Sequence, residues 1–346
     1  MNLHAEEMTP SFQKSIICEG ENICILSERN IKKKHHVSYD TILGMENAFD
    51  KNKNVEIKCL SVLAHYLNAG LKRIIHKTIA FPIDLPNTHN VLFISMSLST
   101  LMANRVLLRR ISSFHRLILY CFDTWEAQYK DWEEIFRYIN PDYIFLAYKA
   151  SVDYFSKIFS NVFFLPQSMD EAFFFPRKGY KKERLFMQMG RKNQKIHKMI
   201  LEYLHMKNIA DVEENYVYEK EEGRIIYPNT NELAENICKT KYFICAPQSD
   251  ENSKLTGVVS DVTARFYEAM ACKTLIVGFK PNTFNLLFNE ESMIEVNADG
   301  SNFAEKVDYF ESHPDEYNRI VEMNYDLLMK KHRWQNRLET IVNTII

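Results

Sequence analysis

The sequence predicts an α/β protein built as two Rossmann-like domains that face one another across a cleft. Three observations lead there. Short apolar strands alternate with longer helical patterns, the signature of parallel strands with helices on both faces of a sheet. The alternation starts afresh after Pro176-Arg177-Lys178-Gly179, a polar stretch with two backbone punctuators. The chain has 346 residues, enough for two domains that each bury a core.

Taken in order, the first cycle supplies strands at Ile23–Leu26, Val91–Ile94, Leu117–Tyr120, Tyr143–Leu146 and Val162–Leu165. Helical patterns fall between them, at about 38–49, 60–76, 99–113, 125–138 and 150–159. The second cycle begins at Arg184–Met189, continues with Tyr242–Ala246 and Thr274–Gly278, and closes on helices after Asn302. The expected domains are residues 1–170 and 180–330. Ligands of such open sheets sit beyond the carboxyl ends of the strands, so the cleft is where both domains contribute.

Composition narrows the function by exclusion. A formal net charge of -2 gives no global pull toward nucleic acid or an anionic membrane, and no recognised nucleic-acid module is present. The seven cysteines form no CxxC pair and sit mostly in apolar runs, as reduced core residues of a cytoplasmic protein do. The acidic residues Glu6, Glu7, Glu19 and Glu21 argue against a secretion signal, and no run approaches the ~18 apolar residues of a membrane span. Neither Gly-x-Gly-x-x-Gly nor a Walker A sequence occurs, so no nicotinamide cofactor or P-loop is expected. His197 and His205 miss the i, i+4 spacing of a zinc site and read as surface residues; no metal is expected. The charge run Glu219 to Glu222 reads as a solvated loop.

The most informative stretch is Ser260 to Pro281, a helix carrying Arg265 and Glu268 followed by a buried strand. A helix start there presents backbone N–H groups and the positive dipole end to phosphate, Thr263 offers a hydroxyl and Arg265 a bidentate charge. Glu268, one turn on, can accept two hydroxyls of a ribose or sugar. The same spacing also allows a plain i, i+3 ion pair between Arg265 and Glu268. Arg191 follows the first strand of the second cycle and Lys195 lies four residues later. As cations near a helix N-terminus they want an anion, though solvated charges are the other reading. Tyr267 reads as packing, and Ala246-Pro247-Gln248-Ser249 as a place for a base or sugar contact.

On the opposite side Asp123 follows the strand Leu117–Phe122 and is expected to open a helix at Thr124-Trp125-Glu126. Its carboxylate would emerge at the strand's C-terminal end as general base or positioning group; the alternative is a helix N-cap. Glu126, Ser27 and Glu28 are weaker candidates for the same pocket. Basic clusters at Lys32-Lys33-Lys34-His35-His36 and at Arg105, Arg109, Arg110 and Arg116 read either as solvated surface or as contact with the inner face of an anionic membrane.

Several of these segments resemble GT-B glycosyltransferases of the glycosyltransferase group 1 and CgeB-like type. Glu268-Ala269-Met270-Ala271 is similar to their donor-binding helix, Met189-Gly190-Arg191-Lys192-Asn193 to their first C-terminal βα loop, and Leu165–Asp170 with Phe175-Pro176 to their inter-domain passage. His332-Arg333-Trp334-Gln335-Asn336-Arg337 is similar to their terminal helix, and the resemblance spans roughly 160 to 342. It implies GT-B architecture, with the last helix, 331–346, returning to the N-terminal domain. It also implies a nucleoside-diphosphate-sugar donor bound by Arg191, Lys195, Thr263, Arg265 and Glu268, and a glycan or lipid-linked glycan acceptor. Two departures stand out: Lys273 occupies a position where Gly is usual, and Ser260 stands where many retaining members carry the first of two glutamates, with Asp261 one place out of register. The chain has no Asp-x-Asp, the pair with which GT-A enzymes hold a metal on the diphosphate, so a metal-free route is expected. The implied activity is sugar transfer to a glycan hydroxyl in bacterial surface-polysaccharide assembly. A sugar-nucleotide epimerase of the same architecture and a non-catalytic nucleotide- or glycan-binding module are the alternatives.

Overall fold

The computed structural model describes residues 21–30, 37–60, 85, 90–190, 192–219 and 226–346. Cys18, the cluster Lys32 to His36, Arg191, residues 61–76 of the helix expected at 60–76 and residues 220–222 of the charge run lie outside them.

Two wholly parallel sheets follow one another along the chain. The first contains β1 (Ile23–Ser27), β2 (Val55–Cys59), β3 (Asn90–Ser97), β4 (Arg116–Asp123), β5 (Tyr143–Leu146) and β6 (Val162–Phe164), in the order β2-β1-β3-β4-β5-β6. Helices α1 (Val37–Asp50), α2 (Leu98–Ile111), α3 (Tyr129–Ile139) and α4 (Lys149–Phe155) connect or flank them. The second contains β7 (Arg184–Gln188), β8 (Tyr216–Tyr218), β9 (Thr240–Cys245), β10 (Leu275–Gly278) and β11 (Met293–Glu295), in the order β11-β10-β9-β7-β8. Its helices are α5 (Gln194–Met206), α6 (Val212–Asn215), α7 (Thr230–Cys238), α8 (Ser249–Thr256), α9 (Ala264–Ala271), α10 (Phe284–Leu287), α11 (Phe303–Ser312), α12 (Pro314–Lys331) and α13 (Trp334–Ile345). The α/β class and the two Rossmann-like halves are as the alternation predicts.

Strand chemistry explains the order. β1, β3 and β4 lie inside the first sheet and are nearly all apolar and buried, because helices cover both faces. Three strands escaped the sequence reading. β2 reads Val-Glu-Ile-Lys-Cys, an alternating half-exposed edge, while β8 and β11 have three residues each at the edges of their sheet. Cys59, at the end of β2, is exposed rather than core.

The helix expected to open at Thr124 does not start there. Trp125 is extended (φ -83, ψ 146), a 3-10 turn follows at Glu126–Gln128, and α3 begins only at Tyr129. Side chains from beyond β5 hold the segment out: Ser151 Oγ donates to Thr124 O at 2.7 Å, and the Trp125 ring lies 4.8 Å from that of Tyr148.

The last helix leaves the second sheet and completes the first. Trp334, Leu338, Ile341, Val342 and Ile345 are buried in the core formed by β1, β3 and β4, with Trp334 6.3 Å from Phe122. The His332–Arg337 motif fixes that crossing. Arg337, buried, donates from Nε to Pro166 O at 2.8 Å and from Nη2 to Gln167 O at 3.1 Å. His332 Nε2 meets Leu287 O at 2.9 Å, its Nδ1 faces Arg337 Nη2 at 3.0 Å, and Ser168 Oγ donates to His332 O. Burial, then the Arg337 charge, push the His332 imidazole down to about 4. The motif therefore ties the passage between the domains to the returning helix.

Candidate functional site

On the second sheet the C-terminal strand ends and α9 converge. Thr263, extended and partly buried, is the N-cap residue of α9. The Ala264 N–H, first of the orphan donors of that helix, goes to Gln167 Oε1 at 2.8 Å. Arg265 Nη1 donates to Glu268 Oε2 at 2.5 Å, so the ion pair is formed, yet the side chains remain 24% and 8% exposed. Burial opposes the Arg265 charge, but Glu268 and then Glu219 outweigh it and hold the guanidinium above its usual range. Glu219, just beyond β8, accepts the Gly190 N–H at 2.9 Å from the loop beyond β7. Its carboxylate is thus a bonded member of this wall and not a charge of a solvated loop.

The other expected donor residues are distributed more widely. Lys195 is exposed on the first turn of α5, whose N-cap Asn193 accepts from Ile196 N. His197 in the same helix is half-buried, its Nδ1 3.1 Å from Tyr216 Oη, whereas His205 is exposed. Lys273, in place of the usual glycine, takes the left-handed backbone (φ 50) that ends α9. Its ammonium is held by Glu322 at 2.5 Å and lies 4.9 Å from the Tyr325 ring, at the opposite end of α9 from the Arg265 side.

Asp123 closes β4 at the C-terminal edge of the first sheet, opposite Ser97 of β3. It is not an N-cap. Oδ1 accepts the Tyr148 hydroxyl at 3.0 Å. Burial, then the Asp123 charge, raise the Tyr148 hydroxyl well above its usual range, so it stays a proton donor that orients the carboxylate. Gln167, whose side chain receives the Ala264 N–H, offsets that rise slightly. The weaker candidates have structural partners: Glu126 Oε2 accepts Val258 N at 2.6 Å, Ser27 Oγ donates to the buried Glu46 at 2.7 Å, and Glu28 accepts from Asn104 at 2.9 Å.

Between the two sides lies a cleft lined by Asp40 of α1, Asp170 of the inter-domain passage, Tyr227 and Thr230 before and at the start of α7, and Arg265 and Glu268. Thr230 Oγ1 donates across it to Asp40 Oδ2 at 3.0 Å. Helix α2 carries its basic residues away from this cleft. It runs from the C-terminal end of β3 back to the N-terminal end of β4, so Arg109, Arg110 and the exposed Phe114 stand at the far end of the sheet from Asp123. Arg116 there donates to Ile345 O at 2.9 Å.

Sequence reasoning missed Tyr148, Gln167 and Glu219. Tyr148 follows a strand end as Asp123 does, which was a usable signal. Gln167 offered none, because its partner is 97 residues away. Among the described residues no group of three His, Cys, Asp or Glu side chains is arranged to hold a metal ion, and no helix is long and apolar enough to cross a membrane.

Residues 204–343 match the family described as glycosyl transferase-like. No curated protein matches the chain in sequence. Among solved structures it is similar to sucrose-phosphate synthase from Thermosynechococcus elongatus, with a TM-score of 0.56 at 9% identity over 94% of this chain and 98% of that one. A glycosyltransferase from Rickettsia africae gives 0.54 at 11% identity over 94% and 98%, and TarM gives 0.52 at 11% over 82% and 57%. At such identities the structural likeness speaks for the fold, which is GT-B. The glycosyl transferase-like match over residues 204–343 is what supports a glycosyltransferase.

Proposed function

We propose that this protein moves a sugar from a nucleoside-diphosphate sugar to a hydroxyl of a glycan acceptor, without a metal ion, in the assembly of a bacterial surface polysaccharide. Membership of the CgeB-like branch belongs to the same proposal and rests on the sequence motifs. The observation that carries the reading is the Arg265–Glu268 pair on a cleft lined also by Asp40 of α1 and Asp170 of the inter-domain passage, with Asp123 held by Tyr148 at the C-terminal edge of the first sheet.

In this reading the donor lies against the second sheet. Glu268 takes ribose or sugar hydroxyls through its carboxylate, while Arg265, Thr263, Lys195 and Arg191 face the diphosphate, with Arg191 assigned from sequence alone. Cations and backbone N–H groups neutralise the charge that develops on the leaving diphosphate. Asp123, oriented by Tyr148, receives or positions the acceptor hydroxyl. The acceptor is a glycan, free or lipid-linked. The position of the α2 arginines, at the end of the sheet away from Asp123, favours a contact with any membrane that leaves the cleft facing away from it.

A thermal-shift screen of UDP, GDP, ADP, CMP and their sugars tests the donor half. Stabilisation by one nucleoside diphosphate selects the base; no shift at millimolar concentration overturns the reading. Release of that nucleoside diphosphate only in the presence of acceptor separates transfer from epimerisation.

A further inference from the structure

The loop beyond β7 and the end of β8 hold an arrangement that the transfer chemistry does not use. β7 and β8 pair Gln188 with Tyr218, so Gly190 and Glu219 lie just past the last rung of the ladder. Gly190 has φ +81, a left-handed conformation that only glycine adopts without strain, and its N–H points to the neighbouring strand end. Backbone N–H groups displayed in this way bind anions. Here the anion is the Glu219 carboxylate, at 2.9 Å. The guanidinium of Arg265 also feels Glu219, in addition to its direct bond to Glu268. Glu268 is thus the bonded partner of Arg265, while Glu219 takes the Gly190 amide and acts on the guanidinium through its charge alone.

We propose that Glu219 is an intramolecular stand-in for donor phosphate: in the nucleotide-free protein its carboxylate takes the Gly190 N–H, within the field of Arg265, and it withdraws when a diphosphate arrives. The proposal rests on the donor-site reading above. Glu268 is the fixed partner, since it is buried, belongs to the same helix as Arg265 and bonds it at 2.5 Å. Glu219 is half-buried at a strand end, and its displacement breaks no helix. The contact lowers affinity for every anion at this position by the same factor and leaves the preference among them unchanged.

Isothermal titration calorimetry of the full chain decides the matter, with UDP, GDP, ADP and inorganic pyrophosphate as probes against wild type, Glu219→Ala and Glu219→Gln. The expected result is that Glu219→Ala tightens pyrophosphate and the preferred nucleoside diphosphate by the same factor, about tenfold (~1.4 kcal/mol). Glu219→Gln keeps an acceptor for the Gly190 N–H and loses only the charge, so it preserves the loop and should tighten both severalfold. Pyrophosphate affinity unchanged or weakened in Glu219→Gln overturns the proposal while leaving the donor site intact. Loss of nucleotide affinity with pyrophosphate unaffected also overturns it and makes Glu219 a ribose or base contact. Failure of every nucleotide to bind any of the three proteins removes the donor-site reading itself.

Discussion

The Asp261 carboxylate accepts the backbone N–H of Lys149 at 3.0 Å, so a residue just before α9 of the second sheet caps α4 of the first. Asp261 is the acidic residue one place out of register with the glutamate pair of retaining relatives. Its oxygen is committed to an orphan amide of a helix start, and its carboxyl is raised by burial, which the Lys149 bond partly offsets. Glu126 Oε2 likewise accepts a distant backbone N–H, that of Val258, at 2.6 Å. Gly257, at φ +58, has no room for a side chain there, because an added Cβ would stand 1.8 Å from Glu126 Oε2. Asp261→Ala should therefore lower stability by ~1 kcal/mol through loss of the cap, and Asp261→Asn by much less. Urea denaturation of the three proteins is the check, and equal midpoints would show that the cap contributes nothing.

Asp123→Asn keeps an acceptor for the Tyr148 hydroxyl but removes the negative charge. A general base contributes about 10²–10⁴ in rate, so kcat should fall by that order with nucleotide affinity unchanged. A full-rate variant would clear Asp123 of any part in the chemistry.

Removal of the Arg265–Glu268 pair should be felt in donor binding. A ligand at ~100 times its dissociation constant adds ~2.7 kcal/mol to stability. That increment, seen as a melting shift with the preferred nucleoside diphosphate, is expected to disappear in Glu268→Ala and in Arg265→Ala. Both variants should still melt cooperatively without ligand. A shift of wild-type size in either one excludes that side chain from the donor site.

The returning helix should be an integral part of the first domain's core. Trp334 is fully buried against Phe122, and truncating a buried Trp costs ~3–5 kcal/mol, so Trp334→Ala should be among the most destabilising changes in the chain. Denaturation monitored by circular dichroism measures it; a loss under ~1 kcal/mol would mean that the helix packs independently.

His332 gives stability a defined pH dependence. The unfolded imidazole binds its proton near 6.5 and the folded one at about 4, so between those values the unfolded chain holds more protons and stability rises with pH. Acidification across that window should cost about 3 kcal/mol from this residue alone. The difference in unfolding free energy between wild type and His332→Gln should shrink by that order from pH 7 to pH 4. A difference independent of pH would show that His332 titrates normally in the fold.

The order of amino acids alone carries the class of the fold, because runs such as Leu117–Phe122 and Leu275–Val277 are apolar at every position, as strands covered on both faces are. It likewise placed Arg265 and Glu268 together on one helix and Asp123 at a strand end, since i, i+3 spacing and strand polarity are local facts. Local pattern could not decide partners. Thr124 and Trp125 stay extended because Ser151 and Tyr148 hold them, and Asp261 serves α4 because the domains meet there. Gln167 reaches Ala264 across 97 residues, and Glu219 left its charged run to bond Gly190 because β8 lies beside β7. A hydrogen bond depends on the positions of two groups in space, and for residues far apart in the chain only the packing of the sheets and helices sets those positions.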